Sequence, residues 1–298
     1  MIDKAESVKF FDDVAKDWKR MAYNTDKPAS IFPSSQLRQE IVVNEIKKNV
    51  KKDAKILDIG CANGSLVIEL IKNGYTSVKG IDSSPKMIEE AKLQLKNAGY
   101  NLKNVFEIED IETLVAGEKF DVIIAMGLIE YLDDISWFFN NMYFLLRDEG
   151  KAYIESKNKL FNLFSANDYT LDSDIKKLMG ELDKIEHLSP KKLEDVAVET
   201  YVNIGNSLKE VDLKETNVVY RKYPFKLPQY SPIELKVNID NHLLHMEKII
   251  YYHFHPFPPR YRKNFPALYD ALGVMMQPLG YTPVGALMCS AYVMVIKK

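Results

Sequence analysis

Cysteine is almost absent from this sequence. Only Cys61 and Cys289 occur among the 298 residues. Two cysteines are too few for a disulfide framework or for a zinc site built on cysteines. No other ligand set stands at metal-binding spacing, so we expect no bound metal.

A dominant charge and a long apolar run are missing as well. The formal net charge is −2, whereas a nucleic-acid-binding protein would usually carry a basic excess or stripe. No apolar stretch reaches the roughly 20 residues of a membrane span. Residues 1–20 are charged throughout, unlike a signal sequence. We therefore expect a cytoplasmic protein that binds neither nucleic acid nor a membrane.

A glycine turn is the most informative feature that is present. Residues 55–64 read Lys-Ile-Leu-Asp-Ile-Gly-Cys-Ala-Asn-Gly, and residues 65–71 have helical length and composition. This pattern predicts a strand, a turn that a ligand can approach closely, and a helix. A dinucleotide site would need a further glycine at Val67, and Asp58 would repel its pyrophosphate. An ordinary loop is the alternative.

A second strand and helix follow this turn. Residues 77–82 are short and β-prone, and their end places Asp82 about twenty residues beyond the turn, where such folds hold ribose hydroxyls. Ser83-Ser84-Pro85 then supplies a hydroxyl cap and a first-turn proline for a helix that carries Met87.

Further strands are predicted near residues 104–108, over residues 120–126 and, after a helix, up to residue 154. Acidic residues or turns follow them, namely Glu109-Asp110-Ile111 and the stretch from Gly127 to Asp134. This alternation of strands and helices is typical of a parallel α/β sheet.

Taken in order, these segments resemble the class I S-adenosylmethionine (SAM) dependent methyltransferases, and within them the type 11, ubiquinone and menaquinone methyltransferase-like group. Residues 58–64 resemble the first motif, with Ala62 at the family's middle glycine, and residues 127–134 resemble the fourth, with Tyr131 where many relatives carry histidine. The resemblance implies an α/β, doubly wound, Rossmann-like sheet of seven strands in the order 3-2-1-4-5-7-6. It also implies SAM as methyl donor and S-adenosylhomocysteine (SAH) as product.

The same resemblance assigns a set of residues to the cofactor. Asp82 is expected to hold the ribose, Asp110 to lie near the adenine amino group, and Cys61 to be a small residue under the ligand. The full set is Asp58, Gly60, Cys61, Ala62, Gly64, Asp82, Ser83, Met87, Asp110, Ile111, Ala125 and Met126.

One methyltransferase domain with additions is expected over residues 1–298. Residues 1–49 predict helices, with Phe10, Phe11, Val14 and Trp18 at helical spacing, that cover either the cofactor pocket or only the sheet. Residues 50–156 form the SAM-binding core. Residues 157–228 form an inserted, mostly helical cap over the acceptor, with helices near 175–185 and 193–201. Residues 229–298 supply a helix and the last strands.

Catalytic candidates come from the late part of the chain. Residues 245–255 predict a strand on which Tyr251, His253 and His255 share a face. The two histidines could act as a general base near neutral pH, bind a metal, or be structural. Tyr131 is the third candidate. Glu130 and Glu155 are either active-site groups or solvated loop carboxylates.

The donor is clearer than the acceptor. We expect transfer to a hydroxyl of a sugar or secondary metabolite; N- or C-methylation and a non-catalytic SAM-binding protein are the alternatives. Both a monomer and a homodimer fit. Basic residues among aromatic ones favour an anionic small acceptor, with a solvated surface as the alternative. These residues are Arg221, Lys222, Lys226, Arg260, Arg262 and Lys263.

Overall fold

The computed structural model describes residues 4–23, 34–114, 117–165 and 227–298. The helices expected near 175–185 and 193–201, and the basic residues Arg221, Lys222 and Lys226, lie outside the described residues. So does most of the expected cap.

Seven strands among the described residues form one sheet in the order β3-β2-β1-β4-β5-β7-β6, which confirms the predicted order. Strands β1 to β5 are parallel, and β7 pairs antiparallel with both β5 and β6. The strands are β1 Lys55–Ile59, β2 Ser77–Asp82, β3 Phe106–Ile108, β4 Phe120–Met126, β5 Leu146–Lys157, β6 His245–Phe254 and β7 Cys289–Lys297.

Helices lie before, between and after these strands. The α-helices of the described residues are α1 Lys4–Val14, α2 Trp18–Tyr23, α3 Ser34–Asn49, α4 Ser65–Lys72, α5 Pro85–Asn97, α6 Ile135–Leu145, α7 Asn162–Ser165, α8 Pro232–Asn241, α9 Pro266–Met276 and α10 Gly285–Met288. Short 3-10 turns occupy Ala15–Asp17, Ile129–Tyr131, Lys159–Phe161, Pro259–Lys263 and Gln277–Tyr281. The expected caps are present, since the Ser84 hydroxyl accepts from the N–H of Met87 at the start of α5.

The apolar strand residues divide between the two faces of the sheet. Ile56 and Ile124 pack with residues of α3, α4 and α5, while Leu57 and Ile123 pack with residues of α6 and α8. Helices thus cover both faces, which explains why β1 and β4 are almost continuously apolar. This coverage leaves the carboxyl edge of the parallel strands as the place for a ligand.

The sheet order reverses between β1 and β4. Strand β2 lies on one side of β1, and β4 lies on the other. The loops after β1 and β4 therefore leave the sheet in opposite directions, which opens a crevice at their carboxyl ends. The glycine turn borders this crevice.

The end of β6 departs from the predicted alternation. His253 has a positive φ of 62°, so the regular two-residue period is broken there. Tyr251 packs against Tyr292, with ring centroids 6.1 Å apart, whereas His253 and His255 contact each other, with ring centroids 4.5 Å apart. The shared face predicted for Tyr251 and the two histidines is therefore wrong for Tyr251.

Two glycines test how tightly the turn before α4 is packed. Gly64 and Gly74 both have positive φ, but a Cβ at Gly64 would lie 2.5 Å from Phe106 Cζ, whereas a Cβ at Gly74 would have no neighbour within 4 Å. Gly74→Ala should lower the free energy of unfolding by about 1 to 2 kcal/mol through backbone strain. Gly64→Ala should lower it by about 1 to 3 kcal/mol more, because the added Cβ overpacks the site. Urea unfolding of both variants measures the difference. Equal losses would mean that Phe106 moves aside without cost.

Candidate active site

A cavity of about 480 Å³ lies at the carboxyl ends of β1, β2, β4 and β5. This volume falls within the roughly 300 to 1,000 Å³ of small-molecule sites. The N-terminal helices contribute Phe11, Trp18 and Arg38 to its wall, and the end of β6 contributes Tyr252 and His253. The helices of residues 1–49 therefore border the cavity as well as the sheet.

The glycine turn presents its backbone to this cavity. Gly60, Ala62 and Gly64 all have positive φ, of 71°, 46° and 74°. Alanine at position 62 therefore adopts the left-handed conformation that glycine adopts without strain. The N–H groups of Gly60 and Cys61 donate to the carbonyl of Ile81 at 2.8 and 3.0 Å, which fastens the turn to the end of β2.

Asp82 joins the glycine turn to the next loop. One oxygen of its carboxylate accepts from the N–H of Ala62 at 2.9 Å, and the other accepts from the N–H of Ser84 at 2.9 Å. Burial raises the pKa of Asp82, and these two N–H groups oppose the rise. Each carboxylate oxygen has two acceptor positions, so both can also accept from a ligand's hydroxyl groups.

Asp58 lies in the same wall and is 2% exposed. Burial raises its pKa to about 8, the nearby charge of Asp82 adds to the rise, and the charge of Arg38 opposes it. Asp58 is thus largely protonated at neutral pH in the free protein.

Most of the residues predicted for the cofactor lie together in the cavity wall. They are Asp58, Gly60, Cys61, Ala62, Asp82, Ser83, Asp110, Ile111 and Met126.

Three of the predicted residues lie behind this wall. Gly64 shapes the turn, and Met87 and Ala125 are fully buried. Met87 packs with Trp18 under the N-terminal helices. These three positions support the site from behind.

The adenine-side carboxylate predicted from the loop after β3 is already paired. Asp110 forms an ion pair with Lys4, and it also accepts from the N–H of Glu112 at 3.0 Å. Lys4 thereby fastens α1 to the loop after β3, on one side of the cavity.

A buried polar cluster, which we call the Glu155 cluster, surrounds a carboxylate that the sequence analysis left open, and its other two members were not predicted. It consists of Arg38, Glu155 and Tyr252. Arg38 donates to one oxygen of Glu155 at 2.8 Å, and the hydroxyl of Tyr252 donates to the other at 2.7 Å. Arg38 lies on a helix without a motif, so no sequence signal pointed to it.

Glu130 and Glu155 are not solvated loop carboxylates. They are 2% and 5% exposed, and both lie in the cavity wall. Glu155 belongs to β5 itself, and Glu130 lies in the 3-10 turn that follows β4. That alternative is wrong because the long β5 and the helices around it bury both groups.

The histidines occupy different depths. His253 lines the cavity, and its Nδ1 lies 2.5 Å from Ser290 Oγ. His255 lies behind it, outside the wall, with Nδ1 2.5 Å from the hydroxyl of Tyr269. Burial lowers the pKa of His253 to about 4 and lowers the pKa of His255 well below its usual range. The expectation of an imidazole that titrates near neutral pH is therefore wrong.

Tyr131, the remaining catalytic candidate, lines the cavity, and its ring lies 5.3 Å from that of Phe11. Arg262 forms a bidentate pair with Asp270, at 2.8 and 3.0 Å, outside the wall. Its predicted role toward an anionic acceptor is thus unsupported by its position. The side chains of Arg260 and Lys263 lie outside the described set.

The described part of the chain offers neither a metal site nor a membrane-spanning helix. It contains no group of three or more His, Cys, Asp or Glu side chains that could hold a metal ion. None of its helices is both long enough and apolar enough to cross a membrane.

Comparison with known proteins identifies the family and the fold. The family model described as "Methyltransferase domain" matches residues 50–210. The chain belongs to this methyltransferase family. The match covers β1 to β5, four of which border the cavity.

Named relatives agree with this assignment. A ubiquinone biosynthesis O-methyltransferase of Pelagibacter ubique (strain HTCC1062) is 30% identical over 231 residues, which cover 73% of this chain and 90% of that protein. A malonyl-[acyl-carrier protein] O-methyltransferase 1 of Ilyobacter polytropus is 26% identical over 254 residues, 77% of this chain and 94% of that protein.

A solved structure agrees with the fold. The magnesium protoporphyrin IX methyltransferase of Synechocystis PCC 6803 with bound SAH superposes with a TM-score of 0.56 and 14% identity, covering 100% of both chains. At this identity, the likeness concerns the fold alone. Together with the family match, it makes this protein a class I SAM-dependent methyltransferase.

The cavity of the methyltransferase fits its cofactor. The turn around Gly60 leaves backbone open where a side chain would intrude, because a Cβ at Gly60 would lie 3.1 Å from Leu128. The carboxylate of Asp82 faces the same cavity and can accept from a diol. SAM carries cationic groups, and the buried carboxylates of this wall complement them.

Asp82→Ala should weaken SAM binding by about 1.5 to 3 kcal/mol, the range for hydrogen bonds to a charged group. The variant also removes the acceptor of the Ala62 N–H, so the turn itself should loosen. Calorimetry with SAM measures the loss. Glu107→Ala, which removes a carboxylate from β3 that pairs with Lys79 outside the wall, is the matched control and should bind SAM normally. Unchanged affinity in folded Asp82→Ala would contradict the prediction.

SAM binding should release a proton near pH 7. In the free protein the pKa of Asp58 is about 8, and the cationic groups of SAM favour the ionised carboxylate. The release should approach one proton per SAM near neutral pH and disappear well above pH 8, where Asp58 is already ionised. Calorimetry in buffers of different ionisation enthalpy counts these protons. Asp58→Asn should abolish the release; if the variant releases the same number, the proton comes from elsewhere.

Proposed function

We propose that SAM binds with its ribose hydroxyls on Asp82 and its adenine beside Asp110 and Ile111. The glycine turn, including Gly60, Cys61 and Ala62, together with Ser83 and Met126, would form the surrounding wall. Support comes from the position of these residues around one cavity. Arg38 is cationic, and Asp58 would ionise when SAM binds, so the two would match the carboxylate and the ammonium of the methionine part.

We further propose that the methyl group goes to an oxygen, and specifically to a hydroxyl of a small acceptor. The observation that carries this proposal is the wall beyond the glycine turn, where His253 and Glu130 can accept hydrogen bonds. Both relatives described above are named as O-methyltransferases. SAM brings an already activated methyl group, so the chain contributes alignment and the exclusion of water.

The insertion of residues 157–228 is proposed to select the acceptor. Its two described ends support this idea, because both lie in the cavity wall. The amide of Asn162 donates to Gln229 at 2.7 Å, and the N–H of Lys159 donates to the carbonyl of Tyr230 at 3.2 Å. These bonds hold the two ends together beside His253, so the residues between them begin and finish at the cavity.

His253 is proposed to orient the acceptor, and Tyr131 to contact it from the opposite wall. Because its pKa is lowered to about 4, His253 is neutral at working pH. A neutral imidazole can accept a hydrogen bond from a hydroxyl. His255, which is buried against Tyr269, would hold the ring of His253 in place and would not touch the acceptor.

A carboxylate acceptor is the second candidate. The relative named malonyl-[acyl-carrier protein] O-methyltransferase 1 favours it. An ionised carboxylate would need no base, but the wall of this methyltransferase is rich in carboxylates, which repel an anion.

A panel of acceptors tests the hydroxyl proposal. We expect SAH to form with catechol or rhamnose, which are neutral and offer hydroxyls, and not with phenethylamine or a malonyl thioester. Liquid chromatography of SAH measures turnover, and the Asp82→Ala variant gives the background. Turnover of the amine or the malonyl thioester alone would overturn the proposal. SAM binding without any turnover would support a non-catalytic protein.

A further inference from the structure

We propose that Glu130 is the general base of this methyltransferase and that its Oε2 receives the proton of the acceptor hydroxyl. This inference rests on the proposed hydroxyl acceptor. It adds a catalytic residue that sequence reasoning treated only as an unassigned carboxylate.

The surroundings of Glu130 leave one oxygen available. Oε1 accepts from the N–H of Lys157 at 2.8 Å and from the hydroxyl of Ser156 at 3.2 Å. Oε2 is buried and has no hydrogen-bond partner among the described residues. A buried acceptor without a partner is costly. Because Glu130 lies in the cavity wall, a ligand hydroxyl can supply the missing donor.

The side chain is also held in a fixed place. The 3-10 turn Ile129–Tyr131 positions its backbone directly after β4. The two donors on Oε1 come from the end of β5, the strand next to β4. A base fixed from two strands needs little reorganisation when the acceptor arrives.

Charged and titratable groups from several elements face Glu130. Burial raises its pKa to about 7, the charge of Glu155 adds to the rise, and Lys157 opposes it. Glu155 is held by Arg38 and by the hydroxyl of Tyr252.

Three tyrosines complete these surroundings. Burial raises the pKa values of Tyr230, Tyr252 and Tyr292, so their hydroxyls stay protonated near neutral pH. Among Glu130 and these tyrosines, Glu130 is the group that changes charge in this range. Asp58, elsewhere in the wall, also titrates in the free protein, with a pKa of about 8.

Glu130 suits the task better than His253. Proton transfer is most effective when the pKa of the base lies near the working pH. The pKa of His253 is lowered to about 4, and its Nδ1 already lies against Ser290 Oγ. The two residues therefore divide the work: His253 orients the acceptor, and Glu130 takes its proton.

Methyl transfer and proton transfer occur together in the proposed step. The acceptor oxygen forms a bond to the methyl carbon while the bond from that carbon to sulfur breaks, and the bonding pair goes to sulfur. The O–H proton passes to Oε2 of Glu130, and its electron pair stays on the acceptor oxygen. Glu130 returns the proton to water when the product leaves.

Glu130→Gln tests the proposal with catechol, or with rhamnose if the panel favours it. The amide oxygen can still accept from the N–H of Lys157, so the fold should persist. In the wild type, kcat/KM should rise with pH through about pH 7, because only the ionised carboxylate is active. The variant should lose this rise of kcat/KM with pH, and its rate should fall about 10² to 10⁴-fold. Its SAM affinity should be unchanged.

Three controls separate catalysis from structure. Glu45→Gln changes another buried carboxylate, one that pairs with Lys248 outside the wall, and should keep the wild-type rate. His253→Gln should keep the limb near pH 7. 4-Nitrocatechol ionises on its own near neutral pH, so Glu130→Gln should methylate it at close to the wild-type rate, whereas a distorted site would lose this activity as well.

A readout without turnover completes the test. In ¹³C-glutamate-labelled protein free of SAM, one carboxyl signal should titrate near pH 7 and be absent from Glu130→Gln. The absence of such a signal would overturn the proposal, and so would a variant that keeps both its rate and its pH limb. If the wild type methylates neither hydroxyl acceptor, the proposed function fails, and this inference fails with it.

Discussion

The carboxylate of Asp82 is the contact on which the cavity depends. It accepts from the N–H of Ala62 and from the N–H of Ser84, and so connects the glycine turn after β1 to the start of α5. The turn needs such a partner, because Gly60, Ala62 and Gly64 all adopt positive φ. A strained backbone persists only where its surroundings hold it. The carboxylate that holds the turn also lies in the cavity wall, where we propose that it binds the ribose.

Charge in the cavity wall follows a consistent pattern. Asp58, Glu130 and Glu155 are buried there, Asp82 is half-buried in the same wall, and Arg38 is the partner of Glu155. Burial without full pairing favours the neutral form of a carboxyl group, which is why the pKa values of Asp58 and Glu130 are raised to about 8 and about 7. A cationic ligand relieves this cost. The wall therefore suits SAM and a neutral acceptor better than the anionic acceptor expected from the basic residues near the end of the chain.

Local pattern was sufficient for the core of the fold. The apolar runs of β1 and β4, the glycine turn and the capped start of α5 are each written in consecutive residues, and the resemblance carried by these motifs predicted the strand order. Asp82 could be predicted because it follows a strand at a characteristic distance from the turn. The prediction failed at the end of β6, where the two-residue alternation of side chains is broken. His253 has a positive φ, so Tyr251 does not share a face with the two histidines.

The sequence by itself determined the order of the strands, the family and the donor, because each depends on short segments whose chemistry is local. Only the tertiary structure brought together the residues that we propose for the acceptor side. Arg38, Glu155 and Tyr252 stand far apart in the chain and meet only when α3, β5 and β6 pack together. The same packing lowers the pKa of His253 and raises that of Glu130. Residue type alone predicts the opposite, with histidine as the stronger base. Burial reverses this order because it destabilises the charged form of each group.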